Sequence, residues 1–451
     1  MGMTHRKLTL AVLLVSGFAV QVATTILVIS LPQIAEYFDT SIAVVSWTVT
    51  GPLLSFGVLG PAFGKAGDLW GHKRVFVGGL LLSGVFSLVG AFAWDVVSLI
   101  VFRTLAAGFG AACGPAAMAY INRLFAPQER VRPLGYWSFV NAFAPVIGVV
   151  AGAPLVNVFG WRLIFFVQAL LCIAAALIST RLLTETERRS DVRFDIAGSA
   201  TLGAGSVLFL LAINRGGTWG WLSPWIVTMT VTALLSFVAF YVIELRVADP
   251  LMPVRWLRTR NIVFPVLTQG LINVAYMGSF LLVPQMLQDG LGYSAQHVSW
   301  LIIARPLAFS MVAPFAGRIS GAVGVRRVGM LGAASTVIGM VAMVFVTDPG
   351  MDVLIVIGLA LTGISLALAS PSLTALLTSS VEVADVGVAS AMQQLVVQMA
   401  GVFGAAAMIA IQEGASGTGG SGSYNIALSF GVVVGIAAVA MARGVRAPAT
   451  R

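Results

Sequence analysis

Charge is scarce in this chain. Of 451 residues only 10% are Asp, Glu, Lys or Arg, against roughly 25% in an ordinary soluble domain, and 58% are hydrophobic. A water-facing globular surface cannot be built from that composition. Cysteine is nearly missing: Cys113 and Cys172 each stand in an apolar run, which excludes a disulfide scaffold and a thiolate metal cluster. The three histidines, His5, His72 and His297, fall at segment ends or in loops. There is no His-Glu-x-x-His helix and no glycine-lysine phosphate loop, so no enzyme, no cofactor and no direct nucleotide drive is expected. The formal charge of +9 does not point to nucleic acid, because the basic residues are scattered over short loops rather than gathered in a patch.

What the chain does have is hydrophobic length. About 20 apolar residues cross a bilayer as a helix, and such spans are placed near 8–31, 44–64, 74–93, 96–120, 134–158, 161–182, 195–213, 223–244, 261–286, 297–317, 326–347, 352–376, 386–412 and 424–443. The fold class is therefore an all-α polytopic membrane protein with fourteen transmembrane helices. The first span follows only MGMTHRK and resembles the start of a signal peptide, but its length and the spans after it predict that it is retained. With the N-terminus in the cytoplasm, 22 of the 26 Lys and Arg residues fall on the cytoplasmic side. Arg162 and Arg215 lie outside, and Arg103 and Arg305 lie within spans. That bias predicts a multi-pass protein of the cell inner membrane with both termini cytoplasmic.

Two turns repeat. After the second span comes GKAGDLWGHKR from Gly64, and after the tenth comes GRISGAVGVRR from Gly317. Gly64 matches Gly317, Lys65 matches Arg318, Gly71 matches Gly324, and Lys73-Arg74 match Arg326-Arg327. Repetition at the same place in two six-span blocks is the mark of a transporter built from related halves. It divides the chain into an N-terminal bundle (1–190), two inserted helices with a linker (191–260) and a C-terminal bundle (261–451). Gly64, Asp68, Gly71, Lys73 and Arg74 are read as a conformational latch, the glycines permitting close approach and Asp68 accepting from helix-start amides or pairing with a basic side chain. The second turn has Gly321 in place of the carboxylate. The alternative reading of both turns is topology alone.

At these residues the chain resembles the major facilitator superfamily, and within it the fourteen-span drug–proton antiporters of multidrug exporter type. The loop signature is Gly64, Asp68, Gly71, Lys73 and Arg74. Arg103, Gly108 and Ala112 look like the family's fourth-span signature, and the stretch from Thr25 to Ile34 like its first-span one. Trp161 to Phe165 resembles the entry to the sixth span, and NRGGTWGWLSP from Asn214 the loop typical of the branch. The resemblance implies two six-helix bundles with two helices between them, and efflux of an amphipathic small molecule by alternating access with proton coupling. It departs at Ala23, where the branch commonly carries aspartate. In the antiport helix Pro145 and Gly148 are kept, but Ala144 and Val149 replace glycine. In span 13 the residues are Gln394, Val397 and Gln398.

Candidate substrate or coupling residues are polar groups inside spans. Arg103 either lines a cavity or caps carbonyls of a bent helix. Arg305, followed by Pro306, is deep enough that a lipid-facing position costs several kcal/mol, on the order of 3 on insertion scales. No carboxylate lies deep in either six-span block, so Arg305 meets water, a negatively charged substrate group, or backbone. Gln394 and Gln398 are four apart and share a face. Asn273, Tyr276 and Phe280 share another, and Asn141 adds a polar group in span 5. Thr24, Thr25, Gln168 and Gln393 fit ordinary helix contacts equally well. The reading that results is a secondary exporter of an amphipathic, optionally anionic, small molecule, working as a monomer in the bilayer. The alternatives are an organic-anion or acidic-lipid carrier without proton antiport, and a non-transport scaffold.

Overall fold

The computed structural model describes residues 3–40, 42–45, 47–126, 129–186, 195–247, 250, 254–382, 385–415 and 422–446. They form helices throughout: α1 (Met3–Tyr37), α2 (Ile42–Val45), α3 (Trp47–Trp70), α4 (His72–Ala91), α5 (Val96–Gly110), α6 (Cys113–Leu124), α7 (Val131–Phe159), α8 (Arg162–Leu182), α9 (Ile196–Trp219), α10 (Pro224–Glu244), α11 (Arg260–Gln285), α12 (Ala295–Ile302), α13 (Ala304–Val312), α14 (Ala316–Val323), α15 (Val325–Val344), α16 (Asp352–Ser379), α17 (Val386–Gly414) and α18 (Gly422–Arg443). Among the described residues, 12 segments are long and apolar enough to cross a membrane. Large apolar side chains such as Leu170, Leu234, Leu235, Val433 and Ile436 face outward. On a soluble protein that surface would be an aggregation liability; in a bilayer it is the lipid contact.

Proline explains where the rods break. Pro115 has no N–H to give and its ring crowds the carbonyl four residues back, that of Ala111; the chain turns at Ala111–Ala112 between α5 and α6. Pro306 stands in the same relation to Ile302, where α12 ends. Pro314 falls in a 3₁₀ turn over Ala313–Phe315 before α14. The expected tenth span, 297–317, is thus three short helices rather than one straight rod. Pro284 precedes a π turn at Met286–Gly290 that closes α11.

The packing repeats. In the first part of the chain α1 packs on α7 and α8, α4 on α5 and α8, and α3 on α5. In the last part α11 packs on α17 and α18, α15 on α16 and α18, and α13 on α16. Each pair in the second set joins helices in the same serial positions as a pair in the first. The turns repeat too: Gly71 has φ 95 and ψ 132, and Gly324 has φ 89 and ψ 145. L side chains rarely adopt that conformation, which is why glycine stands at both. Between these parts α9 and α10 form a hairpin in contact with α3 and α17 through α9. Asp195 caps α9 by accepting from Gly198 N at 2.8 Å. The buried Glu244 at the end of α10 lies over the same glycine.

Candidate functional site

At the face that carries the basic loops, glycines bring the backbones of the two parts close together. A Cβ built on Gly64 would lie 2.9 Å from the Gly387 carbonyl oxygen at the start of α17. One on the matching Gly317 would lie 3.1 Å from Arg132 N at the start of α7, and one on Gly135 would lie 2.7 Å from Ala313 O. Phe139 of α7 packs beside them against Phe309, Ala313 and Ala367. Backbone meets backbone at these points, where an added side chain would collide. The two parts of the chain are thus in backbone contact at the basic-loop face.

The first turn supplies more than glycine. Asp68 is 6% exposed and its Oδ1 lies 3.1 Å from Nε2 of the buried His72. Donation to Asp68 puts the proton on Nε2, and His72 Nδ1 then has no hydrogen-bond partner among the described residues. The imidazole Cε1 lies 2.9 Å from where a Gly387 Cβ would be, so the pair faces the α17 contact. The amides of His72 and Lys73 donate to Thr186 Oγ1 and Glu185 Oε1 at 2.9 and 3.2 Å. A carboxylate at a helix N-terminus is favourable there. Arg74 Nε lies 3.7 Å from Glu185 and is well exposed. Lys73 and Arg74 therefore sit at a contact inside the first part of the chain, while Asp68 with His72 sits at the seam. The buried Lys65 Nζ donates to Pro250 O at 3.3 Å, tying the turn to the segment before α11. The i, i+4 spacing of Asp68 and His72 was a usable signal for this pair.

Gly387, Ala391, Gln394 and Gln398 recur at steps of four, three and four, so they lie on one face of α17. Because Gly387 meets Gly64, that face looks into the seam. Gln394 is exposed and Gln398 half-buried, and at 1.5 Å per residue they stand roughly 10 and 16 Å beyond the glycine contact. The other side of α17 is internally satisfied. Asn273 Nδ2 donates to Val397 O at 2.7 Å, and Gln393 donates to Gln269, which in turn donates to Ser370 Oγ at 2.9 Å. In the first part Gln21 Nε2 reaches Asn141 Oδ1 at 3.5 Å, joining α1 to α7 as Asn273 joins α11 to α17. Thr24 and Thr25 have side chains outside the described residues. Pro145 and Gly148 are placed only as helical residues of α7.

The two intramembrane arginines are in different places. Arg103, 1% exposed, donates from Nη1 to Gln168 Oε1 at 3.3 Å, and Ser87 Oγ lies 3.1 Å from the same oxygen. It belongs to the α4–α5–α8 junction. Arg305, 2% exposed, donates from Nη1 to Tyr276 O at 3.1 Å and from Nη2 to Ser279 Oγ at 2.8 Å. Its guanidinium lies 4.9 Å from the Tyr276 ring centroid, a favourable cation–π distance. Gly363 of α16 admits the Arg305 backbone from the other side. Tyr276 thus contributes its carbonyl and ring to Arg305, while Phe280 is exposed.

At the opposite face Asp352, the first residue of α16, accepts from Tyr293 OH at 2.7 Å and lies 2.9 Å from His297 Nε2. Tyr293 OH also accepts from Gly350 N at 2.7 Å. Burial, and after it the bond to Asp352, push the Tyr293 hydroxyl above its ordinary range, so it remains a donor. The cluster joins α12 to α16.

A family model described as Major Facilitator Superfamily matches residues 13–255 and 266–451. The chain is 27% identical over 423 residues to a multidrug transporter protein, MdtP, of Bacillus subtilis, covering 92% of this chain and 76% of that one. It is 28% identical over 409 residues to the tetracenomycin C resistance and export protein of Streptomyces glaucescens, covering 89% and 74%. Among solved structures it resembles the human organic anion transporter MFSD10, with a TM-score of 0.71 at 12% identity over 98% of this chain and 100% of that one. At that identity the likeness is one of fold.

Proposed function

Because the chain belongs to the Major Facilitator Superfamily, and so is a membrane transporter and not an enzyme, we propose that it exports amphipathic small molecules by alternating access. The observation that carries this is the seam: two similarly packed parts meet through glycine at one face, and a glutamine-bearing face of α17 continues beyond the contact. A closed basic-loop face is one end state of such a cycle, and closure through small residues lets it reopen with few bonds to break. Multidrug transport by the first relative named above and tetracenomycin C export by the second support the substrate class. Gln394 and Gln398 are the proposed substrate contacts. Arg305 and Arg103 are positioning residues that hold α13 to α11 and α5 to α8.

The division at 1–190, 191–260 and 261–451 rests on the repeated helix pairs and the matched glycine turns. A count of fourteen spans is supported by α3 and α7, which lie over the expected segments 44–64 and 134–158 in addition to the 12 apolar segments. Both termini are assigned to the cytoplasm of an inner-membrane protein by the basic-residue bias. With Ala23 in the first span, the candidate for proton coupling is the Asp68–His72 pair. Purified protein in liposomes, given a lipophilic cation and a matched anion under an imposed pH gradient, tests the reading. Carriage of either probe is expected, and Gln394→Ala with Gln398→Ala should raise the half-saturating concentration. Flux indifferent to the gradient rejects proton coupling, and no flux of any amphipathic probe rejects export.

A further inference from the structure

A pocket of ≈ 550 Å³ opens at the basic-loop face, lined by Arg258, Thr259, Arg260, Asn261, Ser380 and Arg446. Three segments distant in sequence make it: the 3₁₀ turn Val254–Arg258 leading into α11, the end of α16, and the chain after α18. Each is held in place. Trp256, 4% exposed, packs with Ile262 and Val266. Val445, 1% exposed, packs with Ala438 and Leu373. Arg446 N donates to Asn261 Oδ1 at 3.1 Å, closing the tail onto the start of α11.

Three guanidiniums therefore share a pocket whose lining, among the described residues, contains no carboxylate. Among the described residues none of the three makes a side-chain hydrogen bond or ion pair with the protein. If their task were to neutralise the carbonyl end of α16, a bond to those carbonyls would be expected; instead Ser380 caps that end itself, donating to Leu376 O at 2.7 Å. Like charges gathered without a counter-charge repel, and planar donor forks suit phosphate oxygens. The pocket lies at the membrane ends of three spanning helices, and Leu257, beside Arg258, is 50% exposed and apolar. A ligand with a phosphate at headgroup height and an acyl chain below matches that layout better than a soluble anion does.

We propose that this pocket binds the phosphate of an anionic membrane phospholipid, which bridges α11, α16 and the chain after α18. Basic residues at headgroup level each favour anionic lipid by about fivefold. The full chain, purified in neutral detergent, is titrated with phosphatidylglycerol and with phosphatidylcholine of the same acyl chains, and bound lipid is counted by native mass spectrometry. Wild type should prefer phosphatidylglycerol by roughly tenfold or more, and Arg260→Gln with Arg446→Gln should abolish most of that preference. Arg326→Gln with Arg327→Gln, on the same face but outside the pocket, should keep it. Equal binding of the two lipids, or equal loss in both variant pairs, overturns the site. Displacement of the lipid by inorganic phosphate beyond that caused by sodium chloride of equal ionic strength overturns the lipid as occupant in favour of a soluble phosphate. Should the first pair fail to fold, a salt titration of wild type decides: the preference must fall as ionic strength rises, and a constant preference overturns the proposal.

Discussion

Replacing Gly64 with alanine adds one methyl group where the two parts of the chain touch. Its Cβ would stand 2.9 Å from Gly387 O, 3.1 Å from Gly387 C and 3.2 Å from Val388 N. All three are backbone atoms of α17, so no side chain can rotate aside. Overpacking of this kind costs about 1–3 kcal/mol, and the cost falls only on the closed arrangement. The gain of about 1 kcal/mol from alanine over glycine in a helix is common to closed and open forms and cancels. The closed population should therefore fall by about 5- to 150-fold relative to the open one. Gly60, one turn earlier in α3, has nothing within 4 Å of its Cβ position, so Gly60→Ala is the matched control. The assay is amide hydrogen exchange over residues 386–388. The amides of Val386, Gly387 and Val388 precede the first i→i−4 bonds of α17, and all three residues are buried where α17 meets α3. Exchange there should speed up in Gly64→Ala and stay at the wild-type rate in Gly60→Ala. Equal exchange in all three proteins would refute the closed seam as the structure's resting contact.

Arg305→Gln removes two hydrogen bonds and a ring contact, and should cost about 2 kcal/mol in thermal stability, with Arg305→Lys losing less. Transport of anionic and neutral probes should suffer equally; an anion-selective loss would place Arg305 at the substrate. Asp68→Asn should lower turnover by about tenfold or less while leaving substrate affinity near wild type, since the pair faces the seam and not the glutamines; loss of affinity at normal maximal rate would refute that. Tyr293→Phe should destabilise the α12–α16 tie by about 1 kcal/mol, read as a lower midpoint of thermal unfolding, and an unchanged midpoint would show the cluster to be ornamental. A phosphatase fusion after Thr218 should be active and a cytoplasm-dependent fluorescent fusion after Arg451 bright; the reverse pattern overturns the orientation.

The membrane class, the position of the 12 long apolar segments and the repeated glycine turn were legible in the amino-acid sequence because each is a local property. Apolar length, basic loops and glycine at a turn need no knowledge of neighbours, and Gly71 and Gly324 do adopt the same backbone conformation. The proline breaks were partly legible: Pro306 announced a bend, while the further division of the same span at Ala313–Phe315 follows from Pro314. What the sequence left open was the partner of each polar group. From the sequence Arg305 fits water, a substrate anion or backbone, and only the rotation of α13 against α11 turns it onto Tyr276 O and Ser279. Gln394 and Gln398 could be put on one face from spacing alone, but that this face looks into the seam depends on Gly387 meeting Gly64, more than 300 positions away. In the sequence His72 stands at the end of a segment, and tertiary packing buries it against Asp68 and α17. In an apolar bundle nearly every helix face is hydrophobic, so the pattern that would reveal a helix's rotation in water is weak. Rotation, and with it every polar pairing, is decided by close contact between small residues once the helices assemble.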